Sequence, residues 1–154
     1  MSSYFLNSEI ETKQLAKKIA KHCSENERLV IFLIGELGVG KTTFTRFFLK
    51  ALGYSGLVKS PTYTLFENYQ LPKYHIFHLD LYRLHTPKEI LEIGLYDEFD
   101  QTAIWLIEWP EHAFPFLPTP DIQCTFTLNA FNRQAELKSR TTAGRDLLLK
   151  IENL

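Results

Sequence analysis

The spacing of apolar residues along the chain switches repeatedly between helical and strand-like rhythms. Ser8 opens S-x-x-E with Glu11, a capping box that starts a helix. Leu15, Ala16, Ile19, Ala20 and Cys23 follow at helical spacing, so an amphipathic helix is predicted over residues 9–24. Leu29 to Ile34 (LVIFLI) is a short, unbroken apolar run, the pattern of a strand buried on both faces. After a glycine-rich segment, Phe44, Phe47, Phe48, Ala51 and Leu52 form the stripe of a second helix, which Gly53 stops.

Ser60-Pro61 breaks the chain before a strand expected from Tyr63 to Gln70. Leu71-Pro72-Lys73 then turns it, and Tyr74 to Leu81 returns as the second half of a hairpin. Thr86-Pro87-Lys88-Glu89 reads as another helix start, with Pro at the first helical position. Ala103 to Ile107 (AIWLI) is a second buried strand, ended by Glu108-Trp109-Pro110. Beyond a loop carrying Pro115, Pro118 and Pro120, Ile122 to Leu128 alternates as a half-buried strand. Gln134 to Arg140 is its expected partner, and Ala143 to Ile151 a closing helix. Strands interleaved with helices place the chain in the α/β class.

Composition adds limits rather than a function. A chain of 154 residues is expected to form one domain, residues 1–154, with a hydrophobic core of its own. The net charge of −1 gives no bulk attraction to nucleic acid or to an anionic membrane. Cys23 and Cys124 are far apart and are expected as free thiols, with no disulfide-linked partner. The opening MSSYFLNSEIETK lacks a basic start followed by an apolar run, and no stretch approaches about 20 apolar residues. A cytoplasmic protein that neither spans nor enters a membrane is expected.

The chemistry begins at Gly35 to Thr42, GELGVGKT, which fits the phosphate-loop pattern G-x-x-x-x-G-K-S/T. Glycines let the backbone wrap so that several N–H groups converge on an anion, and the helix that follows adds the positive end of its dipole. Lys41 is expected at the β- and γ-phosphates of a nucleoside triphosphate, and the Thr42 hydroxyl at Mg²⁺. The flanks supply the strand and helix that the motif requires. No other anion in the loop except Glu36 would answer Lys41.

Such a site needs a carboxylate at the end of a neighbouring strand. Two positions qualify: Ile76-Phe77-His78-Leu79-Asp80, interrupted by His78, and Ile104-Trp105-Leu106-Ile107-Glu108, uninterrupted. Asp80 is a candidate for holding a metal-bound water, and Glu108 for ligating Mg²⁺ or orienting the attacking water; the pattern does not divide these roles. His78 is read as a satisfied structural histidine. Trp109 fits either the core or a partner-facing surface. Ser60-Pro61-Thr62-Tyr63-Thr64 is either a turn or a switch in which Thr62 senses the γ-phosphate or its cation.

Taken together, GELGVGKTTFTR, VKSPTYTLFENY, HLDLYRL and LIEWPE resemble, in order and spacing, the bacterial TsaE family, small ATPases needed to make threonylcarbamoyladenosine on transfer RNA. The resemblance runs from about Ser8 to Leu149 and is strongest between Gly35 and Glu111. It implies a phosphate-loop NTPase-like three-layer α/β sandwich with a mixed, partly antiparallel sheet. It implies that Glu36, Leu37, Gly38, Val39, Gly40, Lys41 and Thr42, with Thr43 beside them, wrap the phosphates of ATP or ADP. Thr42 and Glu108 would sit at Mg²⁺, with Asp80 as the second acidic residue. Arg133, in FNRQAEL, would lie near the nucleotide, although Asn132 stands where many relatives have glycine. Glu9 or Thr12 would lie near the adenine. The family acts with the TsaB and TsaD subunits, resetting their complex rather than forming the threonylcarbamoyl bond, so any contact with transfer RNA would be indirect.

Other readings of the loop are a small-molecule kinase, a GTPase and a nucleotide-dependent binding module without turnover. Kinases of this kind use an arginine-bearing lid; only six arginines are present, none paired in a loop. No Asn-Lys-x-Asp guanine-reading motif occurs. Asp80 and Glu108 weigh against a module that lacks catalytic carboxylates.

Overall fold

The computed structural model describes residues 1–153; Leu154, the last residue of the expected domain, lies outside them. The strands are β1 (Ser2–Phe5), β2 (Leu29–Ile34), β3 (Phe66–Gln70), β4 (His75–Asp80), β5 (Ile104–Glu108), β6 (Ile122–Leu128) and β7 (Arg133–Ser139). The α-helices are α1 (Glu9–Ala20), α2 (Lys41–Ala51) and α3 (Thr142–Glu152). All seven strands join one sheet in the order β1-β7-β6-β2-β5-β4-β3. The centre, β6-β2-β5-β4, is parallel, while β7, β1 and β3 are antiparallel to their neighbours. The sheet is therefore mixed, as expected.

The alternation of β2 explains its unbroken apolar run. Leu29, Ile31 and Leu33 pack into a core shared with α1, α2 and α3. Val30 and Phe32 face the opposite core with Phe77, Trp105 and Ile107. A strand apolar on both faces belongs at the middle of a covered sheet. The three α-helices all lie on one face. The third layer is built from short 3₁₀ turns at Pro87–Ile93, Tyr96–Glu98 and Pro110–Ala113, whose Ile90 and Ala113 are fully buried.

Several expected boundaries shift. The first helix ends at Ala20, because His22 and Cys23 donate to carbonyls three residues back and tighten the last turn. The Cys23 carbonyl is then taken by the Tyr74 hydroxyl at 3.3 Å. The first hairpin strand begins at Phe66 rather than Tyr63, since Leu65 turns left-handed (φ 69°) and donates to Pro61. The Thr86 start has its capping box, but Gly94 stops it after a 3₁₀ turn of seven residues. β1 was not expected; it is an edge strand paired antiparallel with β7. Cys23 and Cys124 are free thiols, and burial pushes Cys23 up to about 12 and Cys124 higher. Among the described residues no helix is long and apolar enough to cross a membrane.

Candidate functional site

The parallel strands β2, β5 and β4 all run toward one edge of the sheet, where a cleft of about 310 Å³ opens. Open α/β sheets collect their ligand groups at this carboxyl edge. The glycine-rich loop leaves β2 there and enters α2. Two glycines shape it. At Gly35 (φ 152°) a Cβ would stand 2.7 Å from the Phe126 carbonyl oxygen and 2.9 Å from Val39 Cγ2. At Gly40 (φ 109°) it would stand 3.3 Å from the Arg133 guanidinium. Gly40 is also the N-cap of α2 and has no side chain to cap it, so the first N–H groups of the helix face the cleft without a protein acceptor from the cap.

Lys41 is 5% exposed. It donates to the Gly35 carbonyl, and its ammonium lies 4.0 Å from the centre of the Trp109 ring. Burial lowers its pKa, opposed by the negative fields of Glu108, Asp80, Glu111 and Glu36. Trp109 adopts a left-handed backbone (φ 56°, ψ 48°) at the turn into Pro110. A non-glycine residue held there stores on the order of 1–3 kcal/mol, a strain that gathers at functional sites. Its ring packs against Tyr82 and His112, and it also borders the cleft.

Parallel pairing sets Asp80 beside Glu108 in register, both on the face that carries α2. They are 6% and 3% exposed. Asp80 accepts from the Thr62 hydroxyl at 3.2 Å and from the Tyr82 N–H at 3.1 Å. Thr62 in turn bonds Ser60 at 2.8 Å. Glu108 meets His78, with Nε2 and Oε2 2.5 Å apart. Among the described residues no lysine or arginine stands within ion-pair distance of either carboxylate. Two buried carboxylates without a protein cation are costly unless a cation arrives. Thr42 lines the same cleft, and a hydroxyl with one or two carboxylates is the donor set of Mg²⁺ shared with phosphates and water. On the opposite wall Arg133 presses its guanidinium against Gly40, and its buried Nε has no partner. A phosphate would answer both.

The cleft thus gathers most of the residues read from the sequence: Leu37, Gly38, Gly40, Lys41, Thr42, Thr43, Thr62, Asp80, Glu108, Trp109 and Arg133. Three others do not line it. Thr12 is buried in α1, its hydroxyl on the Ser8 carbonyl at 3.4 Å, so of the two adenine-side candidates only Glu9 reaches the cleft. Val39 points into the helix-side core and anchors the loop; Glu36 stays exposed. His78 is only half satisfied, because its buried Nδ1 has no partner. Ser60 lines the cleft without having been singled out. Its hydroxyl two residues before Thr62 was the one available signal, and nothing local says that the pair meets Asp80.

Comparison with known proteins identifies relatives of the whole chain. Residues 6–137 match the family model described as "Threonylcarbamoyl adenosine biosynthesis protein TsaE". The chain is 39% identical over 141 residues to the Haemophilus influenzae protein named tRNA threonylcarbamoyladenosine biosynthesis protein TsaE, covering 92% of this chain and 89% of that one. It is 43% identical to the protein of the same name from Rickettsia bellii, over 82% of this chain and 87% of that one. Among solved structures, YdiB of Bacillus subtilis superposes with a TM-score of 0.83 at 25% identity, over 99% of this chain and 94% of that one.

Proposed function

The chain belongs to the TsaE family, and we propose that it is a cytoplasmic Mg²⁺-dependent ATPase serving the synthesis of threonylcarbamoyladenosine in ANN-decoding transfer RNAs. The observation that carries the reading is the meeting of Lys41, Thr42, Asp80 and Glu108 in one cleft at the end of three parallel strands. Lys41 leaves the Gly35 carbonyl and the Trp109 ring for the β- and γ-phosphates of ATP. The N–H groups of residues 36–43 and the Arg133 guanidinium hold the remaining phosphate charge. Thr42 and Glu108 would hold the cation, which would offset charge on the phosphate oxygens. Asp80, kept in place by Thr62 and the Tyr82 N–H, would hold a water beside the cation or align the water that attacks the γ-phosphorus, the bond to ADP breaking as the proton of that water passes to the released phosphate or to solvent.

The output of that cycle is an assembly step. In this reading the chain binds the TsaB–TsaD complex and resets it between turnovers without forming the threonylcarbamoyl bond, and any contact with transfer RNA is indirect. Tyr63 is 83% exposed beside Thr62, and the strained Trp109 sits behind Lys41. A change at the phosphates therefore has a short route to the surface through both segments.

The deciding experiment measures ATP hydrolysis by the chain alone and with both subunits. Slow turnover alone and a marked rise with partners is expected. Phosphotransfer to a small metabolite with no response to partners would overturn the reading, and tight binding without turnover under any condition would leave a binding module. Lys41→Ala is expected to abolish nucleotide binding, as read by fluorescent-nucleotide titration.

A further inference from the structure

His78 interrupts the apolar run of β4, between Phe77 and Leu79. On its face of the sheet its neighbours are Ile76 and Asp80 along β4, Leu106 across on β5 and Glu67 across on β3, and of these Ile76 and Leu106 are fully buried. It is itself 0% exposed. An apolar residue would fill that place at no polar cost, yet the chain places an imidazole there and leaves its Nδ1 without a partner among the described residues. A buried unpaired ring nitrogen is unfavourable. What the imidazole gains is one bond: its Nε2 lies 2.5 Å from Glu108 Oε2.

We propose that His78 is a positioning residue for Glu108, holding one carboxylate oxygen so that the other is aimed at the cation. A carboxylate that is to ligate a cation is ionised and only accepts, so Nε2 is the donor. The register supports the role. His78 stands two residues before Asp80 on the same face of β4, and Asp80 is paired with Glu108 on β5. The imidazole therefore approaches Glu108 from the core side, opposite the cleft that Glu108 lines. Partners of this kind fix ligand orientation, and their loss typically lowers metal affinity or activity about 10–100-fold.

The inference rests on the reading of the cleft as an Mg²⁺–nucleotide site. The test is the Mg²⁺ dependence of fluorescent ATP binding, with Mn²⁺ affinity of the nucleotide complex by electron paramagnetic resonance as a readout independent of turnover. In H78L, the Mg²⁺ concentration for half-maximal tightening is expected to rise about 10–100-fold. Nucleotide binding in chelator is expected to stay unchanged. H78Q sets an amide N–H where Nε2 stood and restores the cation affinity to within a few-fold; H78N reaches only the Nδ1 position and does not. Equal cation affinities in wild type, H78L, H78Q and H78N would make His78 a core residue and overturn the proposal. Should H78L fail to fold, H78Q against H78N decides by the same criterion. A wild-type protein whose nucleotide binding ignores Mg²⁺ would instead defeat the reading of the cleft itself.

Discussion

Both ends of the parallel strands bury carboxylates to nearly the same degree, and Asp80 at one end, like Asp121 at the other, has a donor on each oxygen; the ends differ at Glu108 and Lys41. At the amino edge Asp121 is 6% exposed, as Asp80 is at the carboxyl edge. Asp121 has a donor on each oxygen: the Val30 N–H at 2.8 Å and the Thr141 hydroxyl at 2.6 Å. Thr141 then accepts from Gly144 and caps α3, and the Asp121 carbonyl accepts from Arg140. Every partner is supplied by the fold. At the carboxyl edge Glu108 has one oxygen on His78, while Lys41 is turned to a carbonyl and an aromatic face rather than to an acid. Burial is shared by the two regions. Neither Asp121 nor Asp80 has a lysine or arginine beside it among the described residues, but a buried ammonium held off the acids and a carboxylate with one oxygen unbonded occur together only at the carboxyl edge, where an external polyanion and its cation would complete the set.

The sharpest break in this comparison is Glu108→Gln, which keeps an oxygen for His78 and removes only the charge. Turnover is expected to fall about a hundredfold or more, with the melting temperature of the free protein unchanged or raised, as read by steady-state ATPase assay beside calorimetry. A stability loss with normal turnover would invert the assignment. Asp121→Ala is expected to behave oppositely. It strands the Val30 N–H and the Thr141 hydroxyl, and chemical denaturation should show a loss of about 3 kcal/mol. Turnover per folded molecule should stay the same.

Gly144→Ala tests the closed end more gently. A Cβ there would meet the Asp121 carbonyl oxygen at 2.0 Å, so α3 must shift, and a loss of about 2 kcal/mol is expected without change in nucleotide affinity. The smallest effect belongs to Lys41→Met. Burial lowers the Lys41 pKa in the folded protein, so the folded state binds fewer protons than the unfolded one between the lowered value and the ordinary lysine value. Wild-type stability should therefore rise with pH across that window, and the variant should be the more stable protein below it. Thermal melts of both proteins from neutral to alkaline pH should show the gap closing as pH rises; a gap that widens would contradict the burial argument.

Much of this was legible in the chain because its signals are local. GELGVGKT lies between a buried strand and a helix as read, and the Ser8–Glu11 capping box forms as read. Runs ending in Asp80 and Glu108 become neighbouring parallel strands. The misses share a cause. β1 exists because β7, more than a hundred residues later, offers an edge to pair with. The covering layer opposite the helices is made of 3₁₀ turns, too short to leave a period in the sequence. Thr12 and Glu9 lie within one turn of the same helix, and only the packing of α1 decides which side chain reaches the cleft.

Local pattern was enough for the glycine-rich loop between strand and helix, the apolar strands and the acidic residues at their ends, since each depends on residues within a few positions of one another. Strand order, the left-handed turn at Trp109, the bond from Thr62 to Asp80 and the imidazole behind Glu108 were set only by tertiary pairing. These contacts join segments between 18 and 30 residues apart or more. Which acid meets which donor follows from the register of neighbouring strands, and register is a property of the assembled sheet.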